Sequence, residues 1–212
     1  MDIIKEITAI AKPYFHDSRG SHDWEHSKRV MKLAIHLAKD ESANTQVVQL
    51  AAILHDIGRQ AQDESNGRLC HAEEGAKLAA DILNKYPLPK TIRENIVHCI
   101  KTHRFRNAHE PETIEAKVLY DADKLDSIGA VGIGRAFLFA GEIGAKLHNL
   151  NADIANTKAY TKEDTAYREF VVKLSKVKNR MLTPAGRKIA LERHDFMVRY
   201  FDRLNLETEG KI

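Results

Sequence analysis

Apolar side chains recur at helical spacing along most of the chain. Val30, Leu33 and Leu37 follow His26 at offsets of four, seven and eleven residues. This spacing places His26 on the apolar stripe of an amphipathic helix, so the histidine is expected to face the interior. We find no convincing strand pattern, internal repeat or low-complexity tract. The sequence therefore predicts an all-α protein.

The next predicted helix ends at an adjacent histidine and aspartate. Its apolar stripe comprises Val47, Leu50, Ala51 and Leu54. Asn44 or Thr45 is a suitable N-cap, and Gly58 lies just past the end of the helix. His55 closes the stripe, and Asp56 lies one step further round. Both side chains can reach one ion only from a helix end or a distorted last turn, which Gly58 permits.

Helical periodicity continues to about Leu204. Further helices are predicted over residues 2–12, 71–86, 89–103, 113–126, 163–181 and 184–205. Pro87 and Pro89 stop one helix and open the next, and Pro184 occupies the first turn of the last one. The segment after Gly129 is rich in glycine, which permits close helix approach, whereas the polar stretch 149–162 is predicted to be a loop.

Composition restricts the class of protein. The 212 residues are 43% hydrophobic and 30% charged, which is too apolar for disorder, and no apolar run is long enough to cross a bilayer. The net charge of +3 comes without a Lys/Arg block and neither requires nor excludes nucleic acid. The segment MDIIKEITAI lacks a signal-peptide pattern, so we expect a cytoplasmic protein. Cys70 and Cys99 are expected to be reduced, because two cysteines in a chain of this length do not form a disulfide scaffold, and the missing CxxC spacing argues against structural zinc.

Three motifs contain a set of potential metal ligands. His26 lies in HDWEHSKRV (22–30), the pair His55-Asp56 follows the second stripe, and DADKLD (121–126) contains three aspartates. Each motif alone is uninformative, since a single histidine on an apolar face is usually a hydrogen-bonded core residue. Together, two imidazoles and two carboxylates can hold a divalent cation and leave coordination positions open.

These residues resemble the ordered H…HD…D signature of the HD-domain superfamily of metal-dependent phosphohydrolases, which has an all-helical fold. The similarity extends through CHAEEGA (70–76), VLYDADKLDSIGAVGIGR (118–135) and TPAGRKIALERHDFM (183–197), as in a bacterial subgroup of stand-alone HD proteins. The resemblance implies one HD domain over residues 1–212. Its metal-site core would span about 20–130, and C-terminal helices at about 160–206 would pack on that core.

The resemblance assigns the metal ligands as His26, His55, Asp56 and Asp123. Asp123 is preferred because the family ligand follows the small residue of an alanine-aspartate pair. Asp121 and Asp126 are expected to orient the ligands.

Some similar proteins hold a second metal through extra histidines, for which His71, His98 and His103 are candidates. The stripe of Ile92, Ile96 and Ile100 favours His103 over His98 as the inward-facing group. These histidines could equally contact phosphate or act as a general acid. We expect one divalent ion (Mn, Fe, Co, Ni or Mg), with a second as an alternative.

The implied reaction is hydrolysis of a small nucleotide, in which metal-activated water attacks phosphorus. The substrate would be a nucleoside triphosphate cleaved to monophosphate and pyrophosphate, or a monophosphate. Arg59 and Lys124 are candidate phosphate-binding residues, and Asp63 and Glu64 are candidates for a general acid or base in place of the glutamate found in related nucleotidases.

Two alternatives belong to other classes. One is a di-iron HD-type oxygenase, which would need His71 and a second helix histidine as ligands. The other is a nucleotide-binding regulatory module without turnover, which is disfavoured because no ligand of the signature is missing. We expect no membrane and no specific nucleic-acid partner, and the glycine-rich helix at 129–145 with the C-terminal pair of helices is a candidate surface for a homodimer.

Overall fold

The computed structural model describes residues 2–16, 23–104, 109–150 and 153–212, and these residues form helices without any strand. The all-α prediction is therefore confirmed. The α-helices are α1 (Ile3–Ala11), α2 (Trp24–Asp40), α3 (Thr45–Leu54), α4 (Arg59–Glu64), α5 (His71–Leu83), α6 (Lys90–Thr102), α7 (Ile114–Leu125), α8 (Gly129–Glu142), α9 (Ala166–Val172) and α10 (Pro184–Thr208). None of the described helices is long and apolar enough to span a membrane.

The chain divides into two compact units. The first comprises Met1–Asp123 with Leu182–Gly186, and the second comprises Lys124–Met181 with Arg187–Ile212. The single-domain interpretation of the sequence stays a prediction.

Helix α3 forms the centre of the first unit. Seven of its ten residues are buried, and it packs against α1, α2 and α6. The Asn44 side chain accepts hydrogen bonds from the backbone N–H groups of Gln46 and Val47, which identifies Asn44 rather than Thr45 as the N-cap. Asp23 caps α2 in the same way and binds the N–H of His26 at 2.8 Å. Two caps therefore fix the starts of the helices that hold His26 and His55.

Helix α4 was not predicted from the sequence. The segment after the HD pair is absent from the predicted helices, but Arg59–Glu64 is helical and packs against α5, which in turn packs against α6. The segment is too short for a periodic apolar stripe to develop, and it contains no buried residue. Its position depends on contacts with α5.

Asp121 holds the start of α10. One carboxylate oxygen accepts from the Leu182 N–H at 2.8 Å, and the other accepts from the N–H and hydroxyl of Thr183 at 2.8 and 2.7 Å. The Thr183 hydroxyl accepts from the Gly186 N–H at 3.0 Å and so caps the helix. This buried carboxylate, which we expected to orient metal ligands, thus joins α7 to the first turn of α10.

One helix predicted in the second unit was wrong in its extent. The predicted helix 163–181 is two elements, α9 and a 3-10 helix over Leu174–Arg180, separated by Lys173 with φ −135° and ψ −57°. Val171 and Val172 immediately before the break are β-branched and have low helix propensity. Elsewhere in this unit, Phe170 stacks on Phe201 at a centroid distance of 4.6 Å. Asp126 accepts from Arg135 at 2.8 Å.

Candidate metal centre

Six candidate ligands of the first unit lie at or near helix ends. His26 is the third residue of α2, and His55 and Asp56 follow the last residue of α3. His71 begins α5, His103 follows α6, and Asp123 is near the end of α7. Five of the six side chains are buried, and that of Asp123 is 16% exposed. The arrangement agrees with the expectation that the HD pair leaves its helix where the regular turn ends.

The first group of ligands consists of His26, His55 and Asp123, whose ligand atoms all lie within 4.8 Å of one another. The Nε2 atoms of the two histidines are 3.4 Å apart. Asp123 Oδ1 lies 3.4 Å from His26 Nε2. Asp56 Oδ2 lies 3.8 Å from His26 Nε2 and 3.7 Å from His55 Nε2. These distances bring together the four ligands that the HD resemblance assigned.

The second group consists of Asp56, His71 and His103. Asp56 Oδ1 lies 3.3 Å from His71 Nε2 and 3.7 Å from His103 Nε2. The two Nε2 atoms are 3.2 Å apart. Asp56 therefore presents one carboxylate oxygen to each group.

Hydrogen bonds determine which nitrogen of the buried rings is free. His55 Nδ1 lies 2.8 Å from the Ala52 carbonyl oxygen, and His103 Nδ1 lies 2.7 Å from the Ile100 carbonyl oxygen. A carbonyl oxygen can only accept, so each Nδ1 carries a proton and donates it. In the neutral ring the Nε2 lone pair is then directed away from the backbone and is available to a metal.

Burial keeps these rings neutral. Desolvation lowers the pKa of His55 and of His71, and it lowers the pKa of His103 to about 3. The nearby Asp56 carboxylate opposes this shift but does not cancel it. At neutral pH the three imidazoles are therefore in the protonation state that a metal requires.

The chemistry of this donor set fits a divalent cation. Buried imidazole nitrogens and carboxylate oxygens lie 3.2 to 3.8 Å apart, and a bound cation would offset the repulsion between their lone pairs. A mixed set of imidazole and carboxylate ligands suits Mn, Fe, Co, Ni or Zn. In the part of the chain that the structure describes, no cysteine joins either group.

Arg59 contacts the carboxylate that the two groups share. Its Nε donates to Asp56 Oδ2 at 3.0 Å, and its Nη2 donates to Oδ1 at 3.1 Å. Nη2 also lies 3.4 Å from His71 Nε2. The candidate phosphate-binding arginine thus lies at the centre, and its side chain is 19% exposed.

Four other predicted site residues lie outside the two groups. His98 is half-buried, and its Nε2 accepts from the Glu112 N–H at 3.1 Å. Asp63 and Glu64 are exposed near the end of α4, where Glu64 accepts from Gln60 at 2.9 Å. Lys124 is half-buried on α7. Their assignments as site residues stay predictions.

Sequence reasoning missed Gln62 and the close approach of Gly58 to Gly75. Gln62 Oε1 lies 2.8 Å from His71 Nδ1. A Cβ atom at Gly58 would lie 2.4 Å from the Gly75 backbone nitrogen, so the chain after Asp56 approaches α5 closely. The HDIGR and HAEEGA glycines were a visible signal for such an approach, whereas one glutamine among polar residues carried none.

Comparison with known proteins agrees with this fold. The HD domain family matches residues 23–128, and the chain belongs to this family. The uncharacterized protein YpgQ of Bacillus subtilis is 36% identical over 198 residues, which cover 92% of this chain and 88% of YpgQ. Ribonuclease Y of Treponema denticola is 32% identical over 121 residues, and this match spans only 21% of the ribonuclease.

Solved structures are similar over almost the whole chain. The crystal structure of Bacillus subtilis YpgQ in complex with ADP has a TM-score of 0.73 and 31% identity, covering 96% of this chain and 94% of that one. An HD-superfamily hydrolase from Bacillus thuringiensis has a TM-score of 0.77 and 27% identity, covering 98% and 97%. The chain is a metal-dependent phosphohydrolase of the HD superfamily.

Proposed function

We propose that the chain hydrolyses small nucleotides at a metal centre formed by His26, His55, Asp56 and Asp123. The observation that carries this proposal is the set of buried nitrogen and carboxylate ligand atoms that face one another around Asp56. The reaction is the addition of water across a phosphoanhydride or phosphoester bond. A nucleoside triphosphate would give a monophosphate and pyrophosphate, and a monophosphate would give a nucleoside and orthophosphate.

We assign a second ion to Asp56, His71 and His103. Support comes from the separate oxygens that Asp56 presents to the two groups and from the facing Nε2 atoms of His71 and His103, 3.2 Å apart. When bound, divalent ions would supply Lewis acidity toward a phosphoryl oxygen and would activate water at neutral pH. Neutral His55, His71 and His103 allow this without loss of a proton from the rings.

We propose that Arg59 binds the substrate phosphate. Its guanidinium lies against Asp56 and is partly exposed, so it can donate to a phosphate oxygen next to the metal ligands. Fixed positive charge at this position would stabilise the negative charge that develops on the phosphoryl oxygens. Lys124 is proposed as a further cation on the basis of its place beside Asp123 in the sequence.

The nucleotide class is supported by a relative. YpgQ, to which this chain is similar over 96% of its length, has been crystallised in complex with ADP. The phosphates of ADP bind cations and metal ions, and the Arg59 guanidinium and the candidate metal ligands around Asp56 can supply both kinds of contact.

The test is turnover of a panel of nucleoside mono-, di- and triphosphates by metal-stripped protein resupplied with Mn²⁺. Orthophosphate and pyrophosphate are measured separately, and a short RNA is included because ribonuclease Y is among the relatives. Asp56→Asn removes the shared carboxylate charge at nearly constant shape. Asp81→Asn makes the same change at an exposed position of α5 and is the matched control.

We expect the wild type and Asp81→Asn to cleave one nucleotide class in a Mn²⁺-dependent way. The rate of Asp56→Asn should be lower by about 100-fold or more. Circular dichroism and thermal melting of Asp56→Asn test whether this variant is folded. Cleavage of RNA alone would contradict the small-nucleotide substrate. Absence of Mn²⁺-dependent release from the whole panel would overturn the proposal, and iron content with oxygen consumption would then test the di-iron alternative.

A further inference from the structure

Gln62 connects the three segments that carry the second group of ligands. Its Oε1 lies 2.8 Å from His71 Nδ1, 3.3 Å from the His71 backbone nitrogen and 3.1 Å from Arg104 Nη1. Gln62 belongs to α4, which follows Asp56, and His71 begins α5. Arg104 immediately follows His103. One oxygen atom thus joins the segments after Asp56, at His71 and after His103.

We infer that Gln62 is the positioning residue of the second metal group, because it fixes the tautomer and orientation of His71. This inference rests on the proposed function. A backbone N–H and a guanidinium can only donate, so the atom that contacts both must be the amide oxygen.

The proton on the His71 ring follows from that identity. The same oxygen lies 2.8 Å from His71 Nδ1, which must therefore carry the proton and donate it. The lone pair of the neutral ring is then on Nε2, which faces Asp56 Oδ1 at 3.3 Å and His103 Nε2 at 3.2 Å. His55 and His103 obtain the same tautomer from backbone carbonyls, but His71 depends on a side chain.

Loss of the Gln62 oxygen should therefore weaken the binding of the second ion and leave the affinity for the first ion unchanged. Without an acceptor at Nδ1, His71 can place its proton on Nε2, where it would block the ligand position, or rotate its ring away. Partners that orient metal-ligating histidines typically contribute 10-fold to 100-fold to metal affinity. The group of His26, His55 and Asp123 has no such contact with Gln62 among the hydrogen bonds described above.

The test uses three full-length variants and Mn²⁺ alone. Gln62→Met keeps the length of the side chain and removes the acceptor, and Gln62→Glu keeps an acceptor. Gln60→Met makes the first change at an exposed position of the same helix. Equilibrium dialysis of metal-stripped protein measures the stoichiometry and affinity for Mn²⁺.

We expect wild type, Gln62→Glu and Gln60→Met to bind two Mn²⁺ ions per chain. Gln62→Met should bind the first ion with unchanged affinity and the second about 10-fold to 100-fold more weakly. Equal weakening of both ions in Gln62→Met, or equal loss in Gln62→Glu, would contradict a positioning role specific to the second group.

A second readout needs no metal. Long-range ¹H–¹⁵N correlation spectra of metal-free protein report the tautomer of His71, with His71→Asn used to assign its signal. We expect the Nδ1–H form in wild type and in Gln62→Glu, and a shift toward Nε2–H in Gln62→Met. An Nε2–H ring in wild type would overturn the inference. Binding of a single ion by wild type would instead remove the second ion from the proposed function, and the spectra would still decide the role of Gln62.

Discussion

Gly58 and Gly75 bring the chain after the HD pair so close to α5 that a Cβ atom at Gly58 would lie 2.4 Å from the Gly75 backbone nitrogen. The same Cβ would lie 2.4 Å from the His71 carbonyl oxygen. Both obstacles are backbone atoms, which cannot move aside as a flexible side chain can. The approach places Asp56 next to His71, so it contributes to the geometry of the metal centre as well as to packing.

Gly58→Ala should therefore destabilise the protein. We expect a loss of about 3 kcal/mol in the free energy of unfolding, at the upper end of overpacking substitutions, because the clash is with backbone. Urea denaturation measures this loss. Gly134→Ala is the matched control, since nothing lies within 4 Å of a Cβ atom at this position. It should raise the free energy of unfolding by up to about 1 kcal/mol, because alanine has a higher helix propensity than glycine. Similar stability of Gly58→Ala and wild type would show that the close approach is not required.

Thr183→Val should loosen the start of α10. The substitution removes the hydroxyl that donates to Asp121 Oδ2 and accepts from the Gly186 N–H. The lost cap and the buried N–H without a partner together should cost about 2 kcal/mol in the free energy of unfolding. Thr208→Val, at an exposed position near the end of α10, should change stability by less than about 0.5 kcal/mol. Equal effects of the two substitutions in urea denaturation would contradict this account of Asp121.

Much of this fold was predictable from the sequence, and specific residues show why the rest was not. His26 and His55 lie on apolar stripes, and Pro184 opens its helix, because local spacing and backbone chemistry determine these features. The stripe of Ile92, Ile96 and Ile100 favoured His103, which the structure places in the second group. Helix α4 and the role of Gln62 depend on contacts between different segments of the chain. The six residues of α4 contain only one apolar side chain, so they show no periodic pattern from which these contacts could be predicted.

The metal-free protein should lose stability as the pH falls below about 7. The folded-state pKa of His103 is about 3, well below its ordinary value of 6.5, so between these values the unfolded chain binds a proton that the folded chain does not. The free energy of unfolding should fall by roughly 1 kcal/mol for each such buried imidazole between pH 7 and pH 5.5. His55 and His71 act in the same direction, because burial also lowers the pKa of each.

Urea denaturation at several pH values measures this slope. His103→Asn should reduce the slope between pH 7 and pH 5.5, whatever its effect on stability at pH 7. A slope that is unchanged in His103→Asn would show that this imidazole is not held neutral by burial in the folded protein.

Arg59→Lys should weaken catalysis without abolishing metal binding. Lysine keeps the positive charge but loses the paired geometry with which Arg59 meets Asp56. Loss of one charge-assisted hydrogen bond to a phosphate oxygen should lower kcat/KM on the order of tenfold. Arg68→Lys, at an exposed position outside the centre, should leave kcat/KM unchanged. Full activity of Arg59→Lys would remove Arg59 from the phosphate-binding residues.

The most direct test of the metal centre is anomalous diffraction from crystals of the metal-stripped protein grown with Mn²⁺. We predict an anomalous peak for an Mn²⁺ ion that is coordinated by the Nε2 atoms of His26 and His55 and by the carboxylates of Asp56 and Asp123. A second peak is predicted between Asp56, His71 and His103. Crystals grown with Mn²⁺ that show ordered side chains but no anomalous peak at Asp56 would contradict the central claim that these buried side chains form a metal centre.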